Sequence, residues 1–373
     1  MKRLTFLSVG VSLFFIMFSI GLAYAQIPAK TKIPQVPITY PGDTDKTIAR
    51  RAQWIEGAQK EGTLTWWTSA SPKEAKEISG EFNKIYPFVK IEYWRGNATE
   101  RDAKLEQEHT AGRVTVDITG VGDPTHYPRW RKMGIPEKFT DVIPAVEKWD
   151  KRTYSKYGDW VTPEHTSMVP MYNTKLVPAA EAPKRWEDLL DPKWKGKIGL
   201  TTDMKAWYML ALGEKGWDVE KTEDFLRKLK QQQPIWVAGK SAGHNLLIAG
   251  EFSIMAEGYL RYVFDTRKKE APVDWSRVGA VPVVGAYYML VKKAPHPNSS
   301  RLFYEWFLSP QGLATIDKVT GKGVAFPGTG TRHAKALQGL DLVFRTEEII
   351  VKAADLGLVD RFSKILGVTA AGE

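Results

Sequence analysis

Between residues 62 and 123, short apolar runs alternate three times with helical segments, and this alternation limits the fold more than any other feature of the chain. Residues 47 to 62 read as a helix closed by Gly62, a residue suited to the left-handed turn after a helix. Thr63-Leu64-Thr65-Trp66-Trp67-Thr68 reads as a strand. Ser69-Ala70-Ser71-Pro72 then opens an amphipathic helix carrying Ile78, Phe82 and Ile85, with Pro72 in the first turn, where its missing N–H removes no helix bond. A second strand, Val89 to Trp94, runs through Arg95-Gly96-Asn97 into a helix extending through Leu105, and a third, Val114 to Thr119, runs into Gly120-Val121-Gly122-Asp123. Strands joined by crossover helices form a parallel sheet, so the spacing predicts an α/β domain. Open α/β sheets bind ligands beyond the C-terminal ends of their strands, where helix N-termini present free N–H groups. That rule makes three loops candidate site segments: Thr68 to Ser71, Arg95 to Ala98, and Gly120 to Asp123.

A second α/β unit follows, with helices expected near residues 206–212, 222–232 and 241–250 and strands at 235–237 and 252–256. Val281 to Val291 reads as a strand pair or one long strand, and Ser299 to Leu308 as an amphipathic helix. At about 100–200 residues per domain, two domains are expected.

The first 25 residues carry a different signal. Lys2 and Arg3 precede an uncharged, mostly apolar run from Leu4 to Leu22, and Ala23-Tyr24-Ala25 supplies small residues where a signal peptidase reads. A secretory leader cleaved after Ala25 is expected. Its loss removes Lys2 and Arg3 and takes the formal charge from +10 to +8. Residues 26–45, with Pro28, Pro34, Pro37 and Pro41, read as an extended arm. The chain has no cysteine, which excludes disulfides, thiolate metal sites, a Cys nucleophile and a lipid-modified N-terminus. Its 53 Lys plus Arg are scattered, the longest basic cluster being Arg267-Lys268-Lys269, so no nucleic-acid partner is expected. Gly239-Lys240-Ser241 lacks the upstream glycine of a phosphate-binding loop, since Pro234 stands there. The six histidines are spread singly, and no Gly-x-Ser-x-Gly elbow occurs. No enzymatic activity, cofactor or metal is expected from these patterns.

Tyr172-Asn173-Thr174, followed by the run from Trp186-Glu187-Asp188-Leu189-Leu190-Asp191-Pro192 to Lys197, resembles the crossover and second-lobe signature of periplasmic solute-binding proteins of the ferric-iron-binding type. Ala294-Pro295-His296-Pro297-Asn298 to Phe303, with Leu308-Ser309-Pro310-Gln311-Gly312, resembles the same family's C-terminal helix motif, and Ala249-Gly250-Glu251 adds to it. The resemblance implies a type II periplasmic binding fold, in which two α/β lobes joined by a double-strand hinge close on a solute. It implies lobe I over residues 46–170 and 280–373, lobe II over 171–279, a periplasmic location, and delivery by a monomer to an inner-membrane ABC permease and its ATPase.

One departure bears on the ligand. Ferric-binding members carry adjacent tyrosines nine and ten residues after the Gly-Glu motif, and counting from Glu251 those positions are Leu260 and Arg261. An aliphatic side chain and a cation in place of two phenolates point to a small anionic organic solute, a carboxylate or phosphorylated compound. Candidate contacts are Thr68, Ser69, Ser71, Arg95, Asn97 and Asp123 from the first lobe, and Thr202, Asp203, Trp207 and Arg261 from the second, with Thr201 preceding them. Tyr172 is expected at the hinge. Two alternatives stay open: a ferric receptor using Tyr259 or Tyr262 with Tyr287 and Tyr288, and an exported hydrolase on the same scaffold.

Overall fold

A computed structural model describes residues 38–96, 98–121, 124–139, 143, 146, 149–325 and 329–369. The expected leader, residues 26–37 of the arm, Asn97 and Asp123 lie outside them. Helix α1 (Asp45–Glu61) precedes strand β1 (Thr63–Thr68), followed by α2 (Pro72–Asn83), β2 (Lys90–Arg95), α3 (Ala98–Thr110), β3 (Ile118–Val121) and α4 (Tyr127–Met133). A long strand β4 (Val161–Asn173) leads to β5 (Ile198–Leu200), α5 (Lys205–Leu212), α6 (Val219–Gln231), β6 (Ile235–Trp236), α7 (Lys240–Ala249), β7 (Ile254–Tyr259), α8 (Leu260–Arg267) and β8 (Val273–Trp275). The chain returns through β9 (Val281–Leu290) and ends with α9 (Pro297–Phe307), α10 (Pro310–Thr320), α11 (Arg332–Ala336), β10 (Leu342–Phe344), α12 (Glu347–Asp355) and α13 (Leu358–Leu366). Among the described residues no helix is long and apolar enough to cross a membrane.

Caps set several of these boundaries as expected. Gly62 ends α1 at φ +68, and Ser71 caps α2 with its side chain. The third strand is shorter than its sequence suggests. Asp117 is fully buried; its carboxylate accepts from the N–H groups of Thr65 (2.6 Å) and His296 (2.7 Å), while its backbone bonds to Thr65 and Val291 continue the pairing just before Ile118. Residues 281–290 form one strand rather than a pair.

The strands follow the order β2-β1-β3-β9-β4-β7-β5-β6, with β10 beside β9 and β8 beside β4. β1 is parallel to β2 and β3, and β5 is parallel to β6 and β7, so each half of the order is a parallel sheet. β4 and β9 run antiparallel between the halves. β4 pairs with β9 up to Ser167 and with β7 from Met168, so the crossing falls there rather than at residue 170. Its two register shifts, between Val161 and Glu164 and between Val169 and Met171, coincide with Pro163 and Pro170, which cannot donate to a ladder.

Aromatic packing fills both halves. Trp66, Phe82, Phe303, Trp306 and Phe307 form the centre of the first, with Phe303 and Phe307 stacked at 5.5 Å. Trp186, Trp207 and Phe225 occupy the second. The last two helices depart from the expected division: Leu358, Phe362 and Leu366 join that second cluster, with α12 and α13 packed on α5 and α6. Residues 347–369 therefore add to the second lobe's core, although the sequence motif assigned 280–373 to the first.

Candidate functional site

Parallel pairing brings the C-terminal ends of β1, β2 and β3, at Thr68, Arg95 and Val121, to one edge of the first lobe. In the second lobe the equivalent ends are Leu200, Trp236 and Tyr259. Val121 faces Tyr287 of β9, whose neighbour Tyr288 faces Val161, while Tyr259 faces Met168. The two edges thus stand apart by five or six residues of β4, roughly 16–20 Å at the rise of a strand. Glu164 to Ser167 and Val283 to Ala286 span that gap, and Val284, Gly285 and Ala286 are the partly exposed positions of β9. The result is a cleft with two crossing strands as its floor.

On the first lobe's wall, Thr68 is fully buried; its hydroxyl accepts from the Ala70 N–H at 3.1 Å. Ser69 is exposed on the turn. The Ser71 hydroxyl accepts from the Glu74 N–H, and its own N–H donates to the Glu74 carboxylate at 2.7 Å, so this capping box already occupies the groups Ser71 would offer. Arg95 is exposed at the end of β2. At the floor, Glu164 is buried and accepts from Lys322 Nζ at 3.1 Å and Tyr288 Oη at 3.4 Å.

The second wall is built around a lysine. Lys240, at the start of α7, is buried and donates to Glu257 at 2.8 Å, with Asp203 Oδ2 and Thr201 Oγ1 each 3.4 Å away. The other Glu257 oxygen accepts from the N–H and the hydroxyl of Thr201, both at 2.8 Å. Burial works against the charged form of Lys240, but Glu257 and Asp203 outweigh it and raise its pKa, so it stays an ammonium. Asp203 is pushed down to about 2, because Lys240 and Lys205 overcome the effect of burial. Burial pushes the Tyr259 phenol up to about 12. Thr202 and Asp203, both partly exposed, are held at the cleft by this network.

Arg261 lies in the first turn of α8, partly exposed, 4.5 Å from the centre of the Tyr262 ring. Its side-chain hydrogen bond is to Tyr262 Oη, at 3.3 Å. One turn along the same helix, Asp265 abuts Gly321, and burial raises its carboxyl pKa.

Two expected contacts stand elsewhere. Tyr172 pairs with Ile254 and Asp274, at the end of β4 remote from Met168 and Tyr259, because the crossing precedes it by four residues. Trp207 is fully buried, edge-on to Trp186 at 5.7 Å and tilted against Phe225 at 5.7 Å, as part of the lobe core. Tyr287 and Tyr288 are successive strand residues and point to opposite faces: Tyr287 packs with Trp160, Tyr288 with Phe307. They cannot both reach one metal ion. Among the described residues no three His, Asp or Glu side chains gather around a metal position.

The pattern of motifs gave no notice of Glu257, Glu164 or Lys322, and touched Lys240 only through an incomplete phosphate-loop pattern. One signal was available: Glu257 is the single charge in the apolar run Ile254-Met255-Ala256-Glu257-Gly258, and a carboxylate buried in a strand requires a cationic partner.

Residues 77–331 match the model of the family described as bacterial extracellular solute-binding protein. The chain belongs to that family. An uncharacterized protein of Haemophilus influenzae is 24% identical over 267 residues, covering 68% of this chain and 75% of the relative. Iron-bound HitA of Pseudomonas aeruginosa superposes with a TM-score of 0.63 at 18% identity, over 82% of this chain and 99% of HitA. AfuA of Actinobacillus pleuropneumoniae, solved with exogenous fructose-6-phosphate bound, gives 0.63 at 18% identity over 83% and 99% of the two chains. The fold of this solute-binding protein is therefore the type II periplasmic binding fold, and the cleft described above separates its two lobes.

Proposed function

We propose that this solute-binding protein is the periplasmic receptor of an ABC importer and encloses a small anionic organic solute, a carboxylate or phosphorylated compound, by hinge closure. The reading rests on one contrast in charge. The deeper carboxylates Glu257, Asp203 and Glu164 each face a lysine, whereas among the described residues Arg95 and Arg261 have no carboxylate within 4.0 Å. Both are at strand ends, and Arg261 adds a guanidinium to a helix N-terminus that lacks a side-chain cap. Guanidinium groups hold carboxylates and phosphates through paired hydrogen bonds. Ser69, Thr202 and Asp203 would supply neutral and hydroxyl-directed contacts around that anion. The leader expected over residues 1–25 supports export, and delivery to an inner-membrane permease and its ATPase follows from the family. No enzymatic step is assigned to it.

Iron is less well supported, since the tyrosines of the ferric alternative do not converge and Tyr259 is a neutral phenol at physiological pH. The test is native mass spectrometry of protein purified from the periplasm without unfolding, compared with its denatured mass. An adduct of organic mass, recovered chemically unchanged and lost in Arg261→Ala, is the expected result. A gain of one iron would overturn the proposal, and recovery of a hydrolysed product would indicate an enzyme.

A further inference from the structure

Helix α12 touches both lobes, by different means on each side. Toward the second lobe its contacts are apolar: Ile349 and Ala353 pack with the cluster that holds Trp207, and α13 continues that packing through Phe362. Toward the first lobe, Ile350 enters the cluster of Tyr127, Trp130, Trp160 and Tyr287. Beside it, the Arg131 guanidinium on α4 donates twice to Glu347, at 3.0 and 2.6 Å, and once to Asp159, while Trp160 Nε1 donates to Glu347 at 3.4 Å. Lys156 reaches Glu348 at 3.3 Å. The stretch entering α12 also spans the gap: Tyr287 of β9 donates to the Arg345 carbonyl, and Arg345 Nε donates to Tyr208 of α5 at 2.6 Å.

The surface between α12 and the first lobe is not close-packed. A cavity of about 570 Å³ opens there, lined by Arg131, Tyr154, Tyr157, Trp160, Glu347 and Val351 among others. The second lobe's side of α12 is continuous apolar core, which resists sliding. The first lobe's side is one isoleucine, ion pairs to Glu347 and Glu348, an indole hydrogen bond and open space, a contact that can be made and broken.

We infer that α12 is an interlobe latch, carried by the second lobe and fastened to the first by Arg131–Glu347 and Ile350, so that lobe movement requires this fastening to release. None of the latch residues is a candidate solute contact. It depends on the two-lobed fold and not on the identity of the solute.

The absence of cysteine makes the test direct. Lys73→Cys on α2 and Lys228→Cys on α6, both exposed, would carry spin labels for an interlobe distance distribution read without added solute. Glu347→Gln keeps the shape and removes the charge. It is expected to shift the distribution by about 3 Å or more, or to add a second population, as hinge motions do. Ile350→Ala should act in the same direction. Arg361→Ala, which breaks an ion pair to Glu223 within the second lobe, serves as the control and should leave the distribution unchanged. Distributions in Glu347→Gln and Ile350→Ala that superpose on the wild type would overturn the latch, as would an equal change in the Arg361→Ala control.

Discussion

Each lobe buries one long cationic side chain between two carboxylates, and the two clusters differ in how tightly they are made. In the first lobe Arg51 uses all five of its N–H groups: two on Glu305 (2.6 and 2.9 Å), two on Asp43 (2.8 and 2.7 Å) and one on the Ile38 carbonyl. Its planar fork fixes α1, α9 and the segment entering α1 in one geometry. In the second lobe Lys240 has one short bond, to Glu257, and two looser contacts at 3.4 Å. An ammonium is a point charge on a flexible stem, so it secures the strand firmly and Asp203 of the following loop with slack. The first arrangement suits a permanent anchor. The second suits a loop that must adjust to a ligand while remaining charged and oriented.

Substitutions can break that comparison. Arg51→Met should have the largest effect, a loss of about 3–5 kcal/mol, because Glu305 would remain buried, and Asp43 partly buried, without the guanidinium. Urea unfolding would measure it, and Arg51→Lys should recover only part. Lys240→Met should cost less, about 3 kcal/mol, since Asp203 keeps Lys205 and some solvent contact. In hydrogen exchange it should also loosen residues 201–205. Equal losses for the two variants would mean that the difference in geometry has no energetic counterpart.

A smaller effect concerns pH. Burial holds His165 and His333 down to about 3, and His244 to about 4. A histidine that folds neutral and unfolds with its ordinary pKa near 6.5 makes the unfolded state bind more protons, so stability falls as pH drops below 6.5. Each fully buried histidine would remove about 2 kcal/mol by pH 5. Asp203 works in the same sense but at lower pH, adding stability that disappears only as pH falls from about 4 toward 2. Between pH 7 and 5 the histidines therefore dominate, and His333→Gln should flatten the decline in melting temperature. An unchanged slope would show that His333 is not the group being titrated.

Much of the fold could be read from local pattern. β1 has the boundaries its sequence suggested, Pro72 and Gly62 mark helix ends, and three parallel strands emerge from three alternations. Of the proposed contacts, only the placement of Ser69, Arg95 and Thr202 beside strand ends could be read from local pattern. Tyr172 and Trp207 went astray because a short motif does not say where β4 changes partner or which face of α5 is covered. Lys240 was dismissed with the failed phosphate-loop pattern, although its partner Glu257 lies 17 residues away in a different element.

The sequence by itself determined what depends on near neighbours: helix and strand periods, caps and the absence of disulfide chemistry. Pairing between distant segments decided the rest. Only the tertiary structure could put the crossing at Ser167 and Met168, send Tyr287 and Tyr288 to opposite faces, return α12 and α13 to the second lobe, and leave Arg95 and Arg261 without carboxylate partners among the described residues. The physical reason is that a charge's availability is a sum over everything that surrounds it. Those surroundings are assembled from residues hundreds of positions apart.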